Sequence, residues 1–345
     1  MAESSGGGLP RLVVHIGSGK TGTSSIQETL RAGAAALRAG GTAYLGLMLE
    51  GAGPQRFPWQ TPNGSDAFFR SLEPAAAAEQ AYQVLAEALP ALGAQGITRA
   101  IWSNEWMFQR PAAVLPALLR LQAEGVRLEV VCYVRRIDAW LYSAYVQWGV
   151  KDKQHRGPVK PFREWRKGRD FAFHRHVAAW AERLGASLKL RNFDASGDVV
   201  ADFLRDFAGG ADLPQRRENE TPYPALLAAW MVHNSGLEGP ARPQRFAALA
   251  RPSGVLRPPE GVQPLSAMLP SEADLAVARA EHREDTARLN ALLAAQGQPP
   301  LETEGALREV VLPDPWDMQV LLLRMVLSLQ AQVEELKGAL AEARK

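Results

Sequence analysis

With 345 residues, 46% hydrophobic content, one cysteine and a formal net charge of +2, the chain is long enough to bury a full α/β core. The near-neutral balance gives no global reason to bind nucleic acid, and the lone Cys132 excludes a disulfide framework and a cysteine zinc cluster. The opening eight residues lack an apolar signal core and residues 1–10 read as a flexible lead-in; with no disulfide framework a cytoplasmic location is expected, with no stable membrane insertion.

The first element is RLVVHIGSGKTGTSSIQ over residues 11–27: an apolar strand, a glycine-rich turn carrying one lysine, then a helix. This is the anatomy of a phosphate cradle. Gly17, Gly19 and Gly22 allow a tight backbone, the helix start offers unpaired N–H groups, Lys20 adds a charge, and Thr21, Thr23, Ser24 and Ser25 add hydroxyls. Gly19-Lys20-Thr21 resembles the end of a Walker A motif, but the glycine that motif needs five positions before Gly19 is Val14. Ile26, Leu30, Ala34 and Leu37 then have helical spacing, followed by a short apolar run from Thr42.

Residues 50–65 read as a loop, with Phe57, Trp59, Phe68 and Phe69 either walling an acceptor site or anchoring the loop to the body. An alanine-rich helix from Pro74 to Leu92 precedes an apolar strand that ends in Ser103-Asn104-Glu105. Glu105 is a candidate general base, with Trp102, Trp106 and Phe108 positioned to exclude water; a structural glutamate bonded to the glycine loop is the other reading. His15 is a weaker candidate because its strand alternates into the core, and His174 and His176 read as surface positions on a helix.

A helix from Pro111 to Glu124 leads to the Cys132 strand, which closes on Arg135-Arg136 where a triphosphatase would be expected to carry a magnesium-binding acid. A guanidinium at a strand's carboxyl end grips phosphate, or it pairs with a carboxylate. Asp138 reads as the N-cap of the next helix, which places Ser143 in its second turn. Residues 151–169 hold eight Lys or Arg against two acids, a local +6 that reads as a solvated face, a lid over a polyanion, or a surface selecting an anionic acceptor. No nucleic-acid recognition motif accompanies it. Further helices are predicted over Phe173–Leu184, Asp198–Phe207 and Glu281–Ala295, with a short strand at Ser187–Arg191.

The alternation predicts a doubly wound, mostly parallel α/β sheet flanked by helices over residues 11–304. Residues 305–345 form a helical extension in which Leu322, Val326, Leu329, Val333, Leu336 and Leu340 trace a heptad seam, and a homodimer through residues 322–340 is expected.

The stretch from Lys20 to Gln27 resembles the 5′-phosphosulfate loop of the sulfotransferases that use 3′-phosphoadenosine-5′-phosphosulfate (PAPS). In bacterial members that loop follows a strand ending His-Ile-Gly. A second element of the family, a strand-closing arginine with a serine eight residues later, is matched by Arg135 and Ser143. The resemblance implies that Gly19, Lys20, Thr21, Gly22, Thr23, Ser24 and Ser25 hold the 5′-phosphosulfate, and that Arg135 and Ser143 hold the 3′-phosphate. It further implies that Arg217, in a loosely matching basic segment, closes over the nucleotide. Lys20 and Glu105 would then be the catalytic pair, with PAPS as co-substrate, no metal, and a hydroxyl or amine acceptor such as a glycan or small molecule. The alternatives are a P-loop-like kinase and a non-catalytic nucleotide-binding scaffold.

Overall fold

The computed structural model describes residues 8–214, 224–250 and 265–343, so Arg217 lies outside the described residues. The chain divides into two compact units, Met1–Arg136 with Phe171–Asn219 and His282–Thr303, and Ile137–Asp170 with Glu220–Glu281 and Glu304–Lys345. No described helix is long and apolar enough to cross a membrane.

The first unit is built on a five-stranded parallel sheet of β1 (Arg11–His15), β2 (Thr42–Tyr44), β3 (Arg99–Ser103), β4 (Leu128–Val134) and β5 (Leu188–Asn192), in the order β2-β3-β1-β4-β5. The central strands are apolar almost throughout because both faces are covered. On one face Val13, Ile101, Val131 and Tyr133 pack against Ile26 and Leu30 of the Thr23–Ala32 helix and against Phe203 and Phe207 of the Val199–Phe207 helix. The other face buries Leu12, Val14, Trp102, Val130 and Cys132. Chain connections leave β1 toward β2 on one side and leave β4 toward β5 on the other. The carboxyl ends of β1 and β4 therefore flank a topological switch point, where ligands of open α/β sheets bind.

One helix boundary follows side-chain capping chemistry. Asp198 caps the Val199–Phe207 helix by accepting from the Val200 and Ala201 amides at 2.9 and 3.0 Å. Asp138, expected as a cap, lies instead within the first turn of the Ile137–Ala144 helix of the second unit. That carboxylate is fully buried and accepts from Arg279 Nη2 and from the Arg308 amide, both at 3.2 Å, so it satisfies a cation and a distant backbone group. Ser143 falls in that helix's second turn as expected, half-buried.

The basic run of residues 151–169 is only partly a solvated face. Lys153 is fully buried, its ammonium donating to the carbonyls of Gly157 and Leu237 at 2.5 Å each, and Lys151 lies 5.0 Å from the Trp230 ring centre. Arg163 pairs with Asp274 at 2.5 Å and Arg166 pairs with Glu281. The heptad seam lies on a helix over Pro315–Ala343, where Leu322, Val326, Val333, Leu336 and Leu340 are 40–69% exposed and Leu329 is half-buried.

Candidate functional site

After β1 the chain turns through Gly17–Gly22 into the Thr23–Ala32 helix. Three residues of the turn are left-handed, Gly19 at φ 63°, Lys20 at 54° and Gly22 at 76°. Glycine adopts this backbone freely, whereas a lysine there costs about 1 kcal/mol. Strain of that kind in a non-glycine residue gathers at ligand sites. Space enforces the glycines as well: a Cβ at Gly17 would lie 2.4 Å from Thr23 Oγ1, and one at Gly22 would lie 2.4 Å from Val199 Cγ1.

The helix starts on Gly22 with no side-chain cap and no acid in its first turn, so no carboxylate of that turn neutralises its positive end. Thr21 and Thr23 are 0% and 4% exposed, and their hydroxyls have no protein partner. Burying such a group unpaired costs about 1–3 kcal/mol, a cost that an oxyanion's acceptor oxygens would remove. The loop's donor set therefore fits an oxyanion, whether phosphate or sulfate.

The end of β4 is tied to this loop at two points. Ser18 Oγ donates to the Tyr133 carbonyl at 3.2 Å, and Arg135 Nη1 donates to the Lys20 carbonyl at 3.2 Å. Arg135 also lies 3.6 Å from Asp194 Oδ1 and stacks over Phe193 at 4.7 Å, so its guanidinium is held by a carboxylate as well as by the loop. Asp194 was not singled out from the sequence; it follows β5 in a short turn, and its other oxygen accepts from the Arg136 amide at 2.7 Å.

On the other side of β1, β3 ends at Ser103, and the Asn104 amide donates to the His15 carbonyl at 3.0 Å. Asn104 Oδ1 accepts from the Trp106 amide at 2.9 Å, which starts the short turn carrying Glu105. Gln27 of the loop's helix donates to Glu105 Oε2 at 2.9 Å. Glu105 is thus half-buried with one carboxylate oxygen fixed by a neutral amide. Gln27 was part of the quoted motif, but its role depends on a contact across the sheet edge. The aromatic residues expected around Glu105 separate: Trp102 and Phe108 belong to the core, Trp102 donating to the Leu47 carbonyl at 2.9 Å. Trp106 instead lies between the guanidinium groups of Arg70 and Arg110, at 4.8 and 5.0 Å.

His15 faces the core between Tyr133 and Phe203, with Nδ1 2.9 Å from Ser103 Oγ. Complete burial pulls its pKa down to about 3, so the ring is neutral. His174 and His176 are half-buried, and His176 packs against Phe108 at 5.3 Å.

No protein-family model and no curated protein matches this chain.

Lys20, Glu105, Arg135 and the loop hydroxyls all belong to the first unit; Ser143 belongs to the second. Beside the loop opens a cleft of about 550 Å³, walled by Ser24, Gln27, Glu28 and Arg31 on one side and by Tyr44, Leu47 and Glu50 on the other. The loop aromatics take the anchoring role: Trp59, Phe68 and Phe69 are buried in one edge-on chain, with ring centres 4.6 and 4.8 Å apart. Burial, and then the charges of Glu50 and Glu105, push the Tyr44 phenol upward, so it is a hydrogen-bond donor at neutral pH.

Proposed function

We propose that the chain is a PAPS-dependent sulfotransferase that moves a sulfuryl group to a hydroxyl or amine acceptor and releases adenosine 3′,5′-bisphosphate. The observation that carries this reading is a lysine held left-handed at the head of an uncapped helix, with an arginine from the adjoining strand bonded to the same turn. In the transfer, the bond from sulfur to the 5′-phosphate oxygen breaks as the acceptor oxygen or nitrogen bonds to sulfur. Charge gathers on the departing phosphate, where Lys20 and the helix start oppose it as preorganised electrostatics. Glu105, oriented by Gln27, takes the acceptor's proton. Arg135, Ser143 and Arg217 are assigned to the 3′-phosphate by the family resemblance, and the cytoplasm is the proposed site of action.

One observation favours phosphoryl transfer as a second reading: β3 is the other neighbour of β1, and an acid, Glu105, follows its carboxyl end. Calorimetry with chelator present is expected to show adenosine 3′,5′-bisphosphate binding at least tenfold more tightly than ATP. Tighter binding of ATP with magnesium would move the assignment to a kinase. In the sulfotransferase, Glu105→Gln is expected to lower turnover about 10²-fold or more with bisphosphate affinity kept.

A further inference from the structure

The cleft beside the loop shares Ser24 and Gln27 with the helix that starts at the anion site, and Gln27 also touches Glu105. At about 550 Å³ it has the size of a small-molecule site, within the range of about 300–1,000 Å³. Its electrostatics are opposite to those of the loop. Glu28 is paired with Arg31, which leaves that pair neutral. Glu50 accepts from the amides of Leu47 and Met48 at 3.0 and 2.6 Å, and Glu105 accepts from Gln27. These donors are neutral, so they orient both carboxylates without cancelling their charge.

Resting on the transferase reading, we infer that this cleft holds the acceptor, and that the acceptor is a small polyhydroxyl compound carrying an ammonium group. A cation is drawn to Glu50 on the cleft wall, the Tyr44 hydroxyl donates to an acceptor hydroxyl, and the Leu47 and Pro62 side chains offer an apolar wall, while Glu105, reached through Gln27, is left for the proton. The same charges keep the polyanionic donor out of the acceptor's place, so the two substrates are sorted by sign. The acceptor's ammonium carries no lone pair, which makes a hydroxyl the attacking group and Glu105 the recipient of its proton.

The test uses the intact chain and three sugars of one ring size: glucosamine, glucose and glucuronate. Saturation-transfer NMR is expected to detect glucosamine binding at millimolar concentration. With labelled PAPS, kcat/KM for glucosamine is expected to exceed that for glucuronate at least tenfold. Glu50→Gln should narrow this ratio several-fold, and Ala34→Trp, which fills the cleft, should abolish glucosamine binding while leaving bisphosphate binding in place. Equal or preferential use of glucuronate, no binding of glucosamine, or glucosamine binding untouched by Ala34→Trp overturns the inference. Selective glucosamine binding without label transfer to any sugar retains the cleft assignment and overturns the transferase reading instead.

Discussion

Lys20 occupies a backbone that asparagine also tolerates, so its charge is separable from the fold. Lys20→Asn is expected to keep stability within about 1 kcal/mol and to lower sulfuryl transfer about 10²–10³-fold, the magnitude of losing one preorganised stabiliser. Denaturant melts and initial rates read the two effects separately, and an active Lys20→Asn enzyme would remove Lys20 from the chemistry. His15 makes a different prediction. Its folded pKa of about 3 lies below its ordinary 6.5, so below pH 6.5 the unfolded chain binds a proton that the folded chain refuses. Stability is complete above that pH and falls toward pH 3 by about 1.4 kcal/mol per unit. From pH 7 to pH 5 the native chain should lose about 2 kcal/mol more than His15→Gln does; equal losses would show that His15 titrates normally.

The turn between β1 and the Thr23–Ala32 helix depends on Gly22 for its conformation and its clearance. Gly22→Ala places a methyl 2.4 Å from Val199 on a backbone at φ 76°, and is expected to destabilise by about 1–3 kcal/mol in urea melts. A loss below 0.5 kcal/mol would mean that the turn relaxes freely. The Pro315–Ala343 helix leaves five seam residues exposed, and valine or leucine at a with leucine at d favours a parallel dimer. We predict a light-scattering mass twice the 37.6 kDa of the chain, reduced to the monomer by Leu336→Glu. A native chain of monomeric mass would leave the seam as an unpaired face.

Across the first unit, β1 stands between β3 and β4, which gathers Glu105, the Lys20 turn and Arg135 at one sheet edge. A ligand bound there stabilises only the folded state, so adenosine 3′,5′-bisphosphate at a hundred times its Kd should add about 2.7 kcal/mol. We expect a rise of about 5 °C in the first unit's melting transition, lost in Lys20→Asn. A shift retained in that variant would place the nucleotide elsewhere.

Local signals determined much of this. Glycine spacing and apolar runs marked β1, its turn and its helix, because φ preference and hydrophobic period act within a few residues. The strands ending at Glu105 and Arg135 and the helix from Asp198 were legible for the same reason, whereas the cap expected at Asp138 was not formed. Strand order, however, follows from how whole connections pack across the sheet. It alone decided that Gln27 meets Glu105, that Asp194 meets Arg135, and that His15, already read as core-facing, is bonded to Ser103. Charge count across residues 151–169 could not show that Lys153 is buried, because its ammonium is held by the nearby Gly157 carbonyl and by the Leu237 carbonyl, far along the chain. The acidic cleft is likewise tertiary: Glu28 and Glu50 are ordinary in sequence and face one cavity only after β2 takes its place beside β3.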